Sequence, residues 1–431
     1  MPKEKKKASN LGKRPHSLSG LTDIIPDNGH AWDHLITRLH QLSKAYGFFR
    51  AEAPLLEDHD LYENVDIEHG NIVNFLDPEN NRIAIRAEML PGLIRAHSER
   101  KNIPEDYKLS KWYYLSPTVV YDEHKRQFVS AWEYGFELFG EFSSLNEVQG
   151  ISLIWKYLRS IGLENLALEI NSVGRTDCRG DYDEQLKSFL QNKKYELCNE
   201  CVASLETYPL RVFRCKNLEC KTVAAEAPQV VDYLNEECHK HLTHVLEGLD
   251  ELGISYNLNP SLVGREGASQ IIFSIKYKDD QNEYFIGEGA HHEDIYESIT
   301  GKKVASFGFI GYLEVLRSAL RNLSPESQAH HQHDLKAEVF LVPLGDLAAK
   351  KALRLFSELW DENIAVHDHF GNSGVKNQLK LAENSKAVLA LIIGQKEAMD
   401  DMVILRDVKS GMQELFQHER IVEEVKKRLG R

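Results

Sequence analysis

Apolar positions change their spacing along the chain, and the spacing marks out the elements. Between residues 29 and 46, Trp32, Leu35, Ile36, Leu39, Leu42 and Tyr46 recur at helical intervals, with Gly47 where a C-terminal cap belongs. A short strand follows over 48–53, ended by Pro54. Alternation of Ile83 and Ile85 predicts a strand over 81–87, and 88–98 reads as a short helix. Further strands are predicted over 113–121 and 136–139. Ile151, Ile154, Leu158 and Ile161 line one side of a helix over 147–161, and 166–170 is a strand. From about 176 to 252 the pattern is helical, and strands resume at 271–277, 283–286 and 307–310. Strands in this order, with helices between them, predict an α+β fold: an antiparallel sheet with helices packed on it and an inserted helical subdomain.

The order changes further on. Residues 324–334 form a polar linker whose His330, His331 and His333 have no specific task assigned. Strands at 338–344, 387–393 and 402–405 then alternate with helices at 347–359 and 419–429, the pattern of a small α/β domain. The expected divisions are a basic tail over 1–19, a large domain over 20–330 with its insertion at about 176–252, and a C-terminal domain over 335–431.

Composition adds limits. The 431 residues are 42% hydrophobic and 27% charged, an ordinary globular balance. A net charge of -14 gives no sign of general attraction to nucleic acid, which leaves only a local basic patch for such a role. The tail, with Lys3, Lys5, Lys6, Lys7, Lys13 and Arg14, reads as solvated chain in preference to an RNA contact. No stretch approaches the roughly 18 apolar residues of a membrane span, and a cytoplasmic protein is expected.

Candidate chemistry is sparse. Cys198-x2-Cys201 and Cys215-x4-Cys220 set four thiols in two close pairs, a spacing that suits a structural Zn2+; the alternative is four ordinary reduced cysteines. His291-His292-Glu293-Asp294 lacks the His-Glu-x-x-His spacing and is expected in a turn with solvated side chains. Gly287-x-Gly289 is expected to mark a close backbone approach. Lys376 and Lys380, four apart, share one face of a short helix.

Several segments together resemble the histidyl-tRNA synthetase family. Gly20-Leu21-Thr22-Asp23-Ile24-Ile25-Pro26 is similar to its opening, and Pro54 falls where its motif 1 proline ends the dimer-interface strand. Arg86-Ala87-Glu88 resembles its Arg-Pro-Glu, whose glutamate binds the amino group of histidine. Leu168-Glu169-Ile170-Asn171-Ser172, Tyr208-Pro209-Leu210-Arg211-Val212 and Asn259-Pro260-Ser261-Leu262-Val263 follow in the family's order. So do Leu341-Val342-Pro343-Leu344-Gly345, Lys376-Asn377-Gln378-Leu379-Lys380 and Ile392-Ile393-Gly394, which resemble its anticodon-binding domain. The resemblance implies a class II synthetase fold, a homodimer, and substrate contacts at Glu88, Glu137 and Glu314. Lys376 and Lys380 become candidates for tRNA phosphates, with a plain solvated helix face as the alternative.

The same comparison exposes departures. The family holds ATP with a motif 2 arginine and a motif 3 arginine, whose planar forks bind phosphate oxygens in pairs. Val120 and Val315 stand at those places, and Glu133 replaces a substrate-contacting glutamine. The Arg-Gly-Leu-Asp-Tyr-Tyr loop corresponds to Gly264-Arg265-Glu266-Gly267-Ala268-Ser269, where Arg265 matches only with a one-residue slip. Arg317 is placed to replace the motif 3 arginine only from another side of its helix. The expected function is therefore a non-catalytic relative that binds tRNA, another protein, or both. The alternatives are a divergent active ligase using ATP and Mg2+, and a regulatory subunit of a histidine-biosynthesis enzyme.

Overall fold

The computed structural model describes residues 16–63, 65, 70–100, 108–175, 179–321, 337–368, 374–385 and 387–431. The basic residues of the tail up to Arg14 and the histidines of the linker lie outside them. The chain divides into two compact units, residues 1–324 and 325–431.

The first unit opens with α1 (Pro26–Ala45), β1 (Phe49–Arg50), β2 (Leu56–Asp58), β3 (Asn71–Ile72), β4 (Asn74–Leu76), β5 (Arg82–Ile85) and α2 (Met89–Ser98). A long hairpin follows, β6 (Leu109–Asp122) and β7 (Gln127–Gly140), then α3 (Ser144–Ser160) and β8 (Leu166–Ser172). The insertion carries α4 (Gly180–Asn192), α5 (Asn199–Ala203), α6 (Arg211–Arg214), α7 (Leu218–Ala225) and α8 (Glu236–Glu251). The unit closes with β9 (Tyr256–Leu258), β10 (Ser269–Lys278), β11 (Glu283–His291), α9 (Glu293–Thr300), β12 (Ser306–Tyr312) and α10 (Leu313–Arg321). A nine-stranded sheet runs β1-β6-β7-β12-β11-β10-β8-β9, with β3 paired to β6, and its central pairs are antiparallel.

Each β7 side chain takes a face by the two-residue period of a strand. Tyr134, Phe136 and Leu138 point into the main core with Trp32, Leu35 and Leu39 of α1, Ile151 and Ile154 of α3, and Val245 of α8. Glu133, Glu137 and Phe139 take the other face, where Leu93 and Ile94 of α2 and Tyr296 of α9 pack on Tyr114 and Phe139. Gly47, at φ +74° after α1, holds the left-handed cap conformation its position predicts.

The hairpin strands run 14 residues each, well past the predicted 113–121 and 136–139. Buried polar residues, among them Ser116, Thr118, Glu133 and Glu137, break the apolar alternation that sequence reading relies on. Strand β11 likewise runs on through Gly287 and Gly289. A Cβ on Gly289 would collide with the Phe273 ring and the Gly308 carbonyl, so the glycines let neighbouring strands and rings close up.

The second unit contains β13 (Val339–Pro343), α11 (Asp346–Asp361), β14 (Val366–Asp368), α12 (Val375–Asn384), β15 (Leu389–Ile393), α13 (Gln395–Met399), β16 (Met402–Asp407), β17 (Gln413–Gln417) and α14 (His418–Arg428). Its sheet runs β14-β13-β15-β16-β17, parallel on one side and antiparallel on the other. Val339, Leu341, Leu389 and Leu391 pack against Leu355 and Leu359 of α11 and Ile421 of α14.

Candidate functional site

A pocket opens on the α2 side of the large sheet, lined by Glu88, Tyr114, Glu137, Arg265, Glu288 and His292 among others. Glu88 sits immediately before α2, and Glu137 comes from the middle of β7. Gly308 lies opposite Glu137 in the β12–β7 register, and a Cβ there would overlap the Glu137 carboxylate. Both carboxylates are nearly closed off from solvent, at 4% and 2% exposure.

The chain supplies its own partners for them. Arg265 Nη1 donates to Glu88 Oε1 at 2.5 Å, and its Nε lies 3.9 Å from Glu288 Oε1. Arg214 Nη1 reaches the other Glu288 oxygen at 3.2 Å. His292 Nε2 is 2.9 Å from Glu137 Oε2, although the two are not aligned for a hydrogen bond. Burial pushes the Glu137 carboxyl up from its ordinary value, and His292 and Arg265 partly oppose this. The cavity left is about 40 Å³, room for about three water molecules.

Sequence reasoning missed His292 and Glu288, and it named Arg265 only through a slipped match. The expectation of solvated side chains at His291 and His292 is corrected: they are 2% and 6% exposed. The reason is that β11 runs to His291, so consecutive histidines drop to opposite faces of the sheet, and α9 starts directly after His292. The signal available was the alternation of Glu288 and Ala290 with Gly287 and Gly289.

The other expected positions fall elsewhere. Glu133 is 1% exposed, and its Oε2 accepts the Met89 N–H at 2.9 Å, at the orphan N-terminus of α2. Burial and the nearby charge of Glu88 push its carboxyl up to about 8. Glu314 is the second residue of α10 and is not among the residues lining the pocket; both its oxygens lie 3.1 Å from the Trp132 backbone nitrogen. Val120 is 5% exposed and packs with Tyr62, Ala84 and Ala87. Val315 packs at the edge of the main core. On the surface Lys125 Nζ pairs with Asp122 at 3.1 Å, and the Arg317 guanidinium lies 5.4 Å from the Trp32 ring centre. Arg86 is fully buried and serves the backbone, donating to Pro117 O from Nε at 3.1 Å and from Nη2 at 2.7 Å.

The insertion brings Cys198, Cys201, Cys215 and Cys220 together, with their sulfurs all within 4.8 Å of one another. Cys198 Sγ and Cys215 Sγ are 3.7 Å apart, against about 3.8 Å for the edge of a tetrahedron with Zn–S bonds of about 2.3 Å. The Cys198 N–H donates to Cys220 Sγ at 3.2 Å. Hydrogen bonding from the Cys201 backbone lowers the Cys198 thiol to about 7. Asn217 caps α7, accepting from the Cys220 N–H at 3.3 Å, and so fixes the fourth thiol. In the second unit, Lys376 and Lys380 are both exposed on α12.

Residues 20–316 match the family model described as histidyl-tRNA synthetase, and residues 338–428 match an anticodon binding domain. The chain belongs to the histidyl-tRNA synthetase family. It is 29% identical over 416 residues to a histidine–tRNA ligase of Halothermothrix orenii, covering 95% of this chain and 98% of the relative. It is 27% identical over 422 residues to that of Dehalococcoides mccartyi, at 96% and 99% coverage. Among solved structures, the apo histidyl-tRNA synthetase of S. aureus superposes with a TM-score of 0.77 at 23% identity, covering 96% of this chain and 100% of that one. An ATP phosphoribosyltransferase regulatory subunit/histidyl-tRNA synthetase from Bacillus halodurans gives 0.59 at 15% identity, covering 89% and 98%. These two likenesses establish a shared fold.

Proposed function

We propose that this synthetase-family chain does not activate histidine and acts by binding, with tRNA as its first partner and a protein as the alternative. The observation that carries this reading is that Glu88 and Glu137, the carboxylates a substrate ammonium or imidazole would need, already face Arg265 and His292 in a cavity of about 40 Å³. Val120 and Val315 add no charge to meet a phosphate, and a developing phosphate charge needs fixed cations around it. The residues present therefore do not fit ATP and Mg2+.

On this reading Cys198, Cys201, Cys215 and Cys220 hold a structural Zn2+ that ties the short helices of the insertion together, since those helices are too brief to persist alone. Lys376 and Lys380 offer two exposed cations to tRNA phosphates. A homodimer is supported by the exposed apolar side chains Phe49, Leu55 and Leu56 beside Pro54.

Histidine-dependent ATP–pyrophosphate exchange by purified, folded protein is the test. Background exchange is expected. Exchange above background would overturn the reading and establish a divergent active ligase, which the 95% coverage by histidine–tRNA ligases favours as the second reading.

A further inference from the structure

On the face of the sheet opposite the pocket, Glu147 of α3, His241 of α8 and His291 at the end of β11 converge. One ligand atom from each lies within 4.8 Å of the other two. His241 Nε2 is 2.8 Å from Glu147 Oε1, and His291 Nε2 is 3.3 Å from the same oxygen. Glu147 and His291 are 1% and 2% exposed. Within them, Glu147 Oε2 and His291 Nε2 have no hydrogen-bond partner. Leaving two such atoms buried and unsatisfied is costly, and one cation held by both oxygens of the Glu147 carboxylate and by His291 Nε2 satisfies both.

We infer that Glu147, His241 and His291 form a binding site for a divalent transition-metal ion, Zn2+ foremost, separate from the cysteine cluster. The His291–Glu147 separation of 3.3 Å equals the edge of a tetrahedron with bonds of about 2.0–2.1 Å, whereas the His241–Glu147 distance of 2.8 Å is that of a hydrogen bond and opens by about half an ångström when the ion enters. Two imidazoles and one carboxylate select Zn2+, Co2+ or Ni2+ over Mg2+ and Ca2+, which prefer oxygen donors alone. The Nδ1 of His291 lies 3.5 Å from Gln270 Nε2 and 3.9 Å from Glu293 Oε1, polar groups behind the ring that help to orient it. Three protein ligands leave a fourth position open, and all three side chains line a cavity of about 230 Å³ together with Ser143, Ser144, Cys238 and Gln270. Water or a small anion occupies that position. The ion ties α8 of the insertion to α3 and to the strand that carries His292 into the pocket on the other face. In its absence protons hold the three side chains together, and metal uptake releases them.

The test is titration of chelator-treated, reduced full-length protein with Co2+. Cysteine ligation gives an intense thiolate-to-cobalt charge-transfer band, whereas imidazole and carboxylate ligation gives only weaker d–d absorption. The expected result is one equivalent of Co2+ without the charge-transfer band, in addition to any held by the cysteines. His241→Ala loses that equivalent and keeps the rest. His241 is part exposed at the helix surface, and an unchanged circular dichroism spectrum checks that the variant is folded. Glu147→Gln, nearly the same size, provides the second variant and loses the same equivalent. Uptake confined to ions with the charge-transfer band, or equal uptake by wild type and both variants, overturns the inference.

Discussion

Replacing Glu133 with glutamine stabilises the first unit, by a margin that grows with pH. In the fold, burial and the charge of Glu88 push the Glu133 carboxyl up to about 8 from its usual 4.5. The unfolded chain therefore releases this proton above pH 4.5, while the folded chain keeps it until about pH 8. Stability contributed by the protonated form is complete below pH 4.5 and is lost as pH rises through 8, tenfold in the folding equilibrium per unit. Glutamine has no proton to lose, and its amide oxygen can still accept the Met89 N–H. Three units above pH 4.5 the wild type has given up a factor of about a thousand, or about 4 kcal/mol, relative to Glu133→Gln. Equilibrium urea unfolding of the first unit, followed by tryptophan fluorescence at pH 5, 6.5 and 8 and constant salt, measures it. The two proteins should nearly coincide at pH 5 and separate steadily toward pH 8, with the variant more stable. A gap independent of pH, or a variant less stable at pH 8, would show that Glu133 is ionised in the fold and would refute the argument.

Two further outcomes follow from buried positions. His97 is packed against Trp112 and Phe139, with Nδ1 2.8 Å from Tyr296 Oη, and burial, then the charge of Arg100, lowers its pKa to about 4. It is neutral in the fold while the unfolded chain takes up a proton below pH 6.5, so stability falls as pH drops from 6.5 toward 4; His97→Gln removes that part of the fall, and thermal melts at pH 7 and 4.5 should show a smaller shift for the variant. Gly289→Ala forces a methyl against Phe273 and the Gly308 carbonyl and should cost about 1–3 kcal/mol, read as a lower urea midpoint; an unchanged midpoint would mean the strands can separate freely.

Long apolar repeats made much of the architecture legible in the chain itself. The helix over 29–46, the helix over 147–161 and the apolar strand over 387–393 all appear as elements, because each has one face or both faces buried and the spacing records it. The hairpin of β6 and β7 was only half visible, because one face of each strand carries polar residues that are themselves buried. The sulfurs of Cys198, Cys201, Cys215 and Cys220 meet as their local spacing allows, since a short loop and a capped helix suffice to close the set.

What the sequence by itself determined was the family and the order of elements, and it raised the expectation that Val120 and Val315 stand where the family keeps two arginines. Those are properties of single positions and local runs. Tertiary structure decided where each charge finds its partner. Arg265 meets Glu88 across 177 positions, and His292 meets Glu137 from a different strand, while His291 turns away to Glu147. Nothing in local spacing encodes such pairs: they exist because strands distant in the chain are neighbours in the sheet, and because one residue's shift along a strand sends a side chain to the other face.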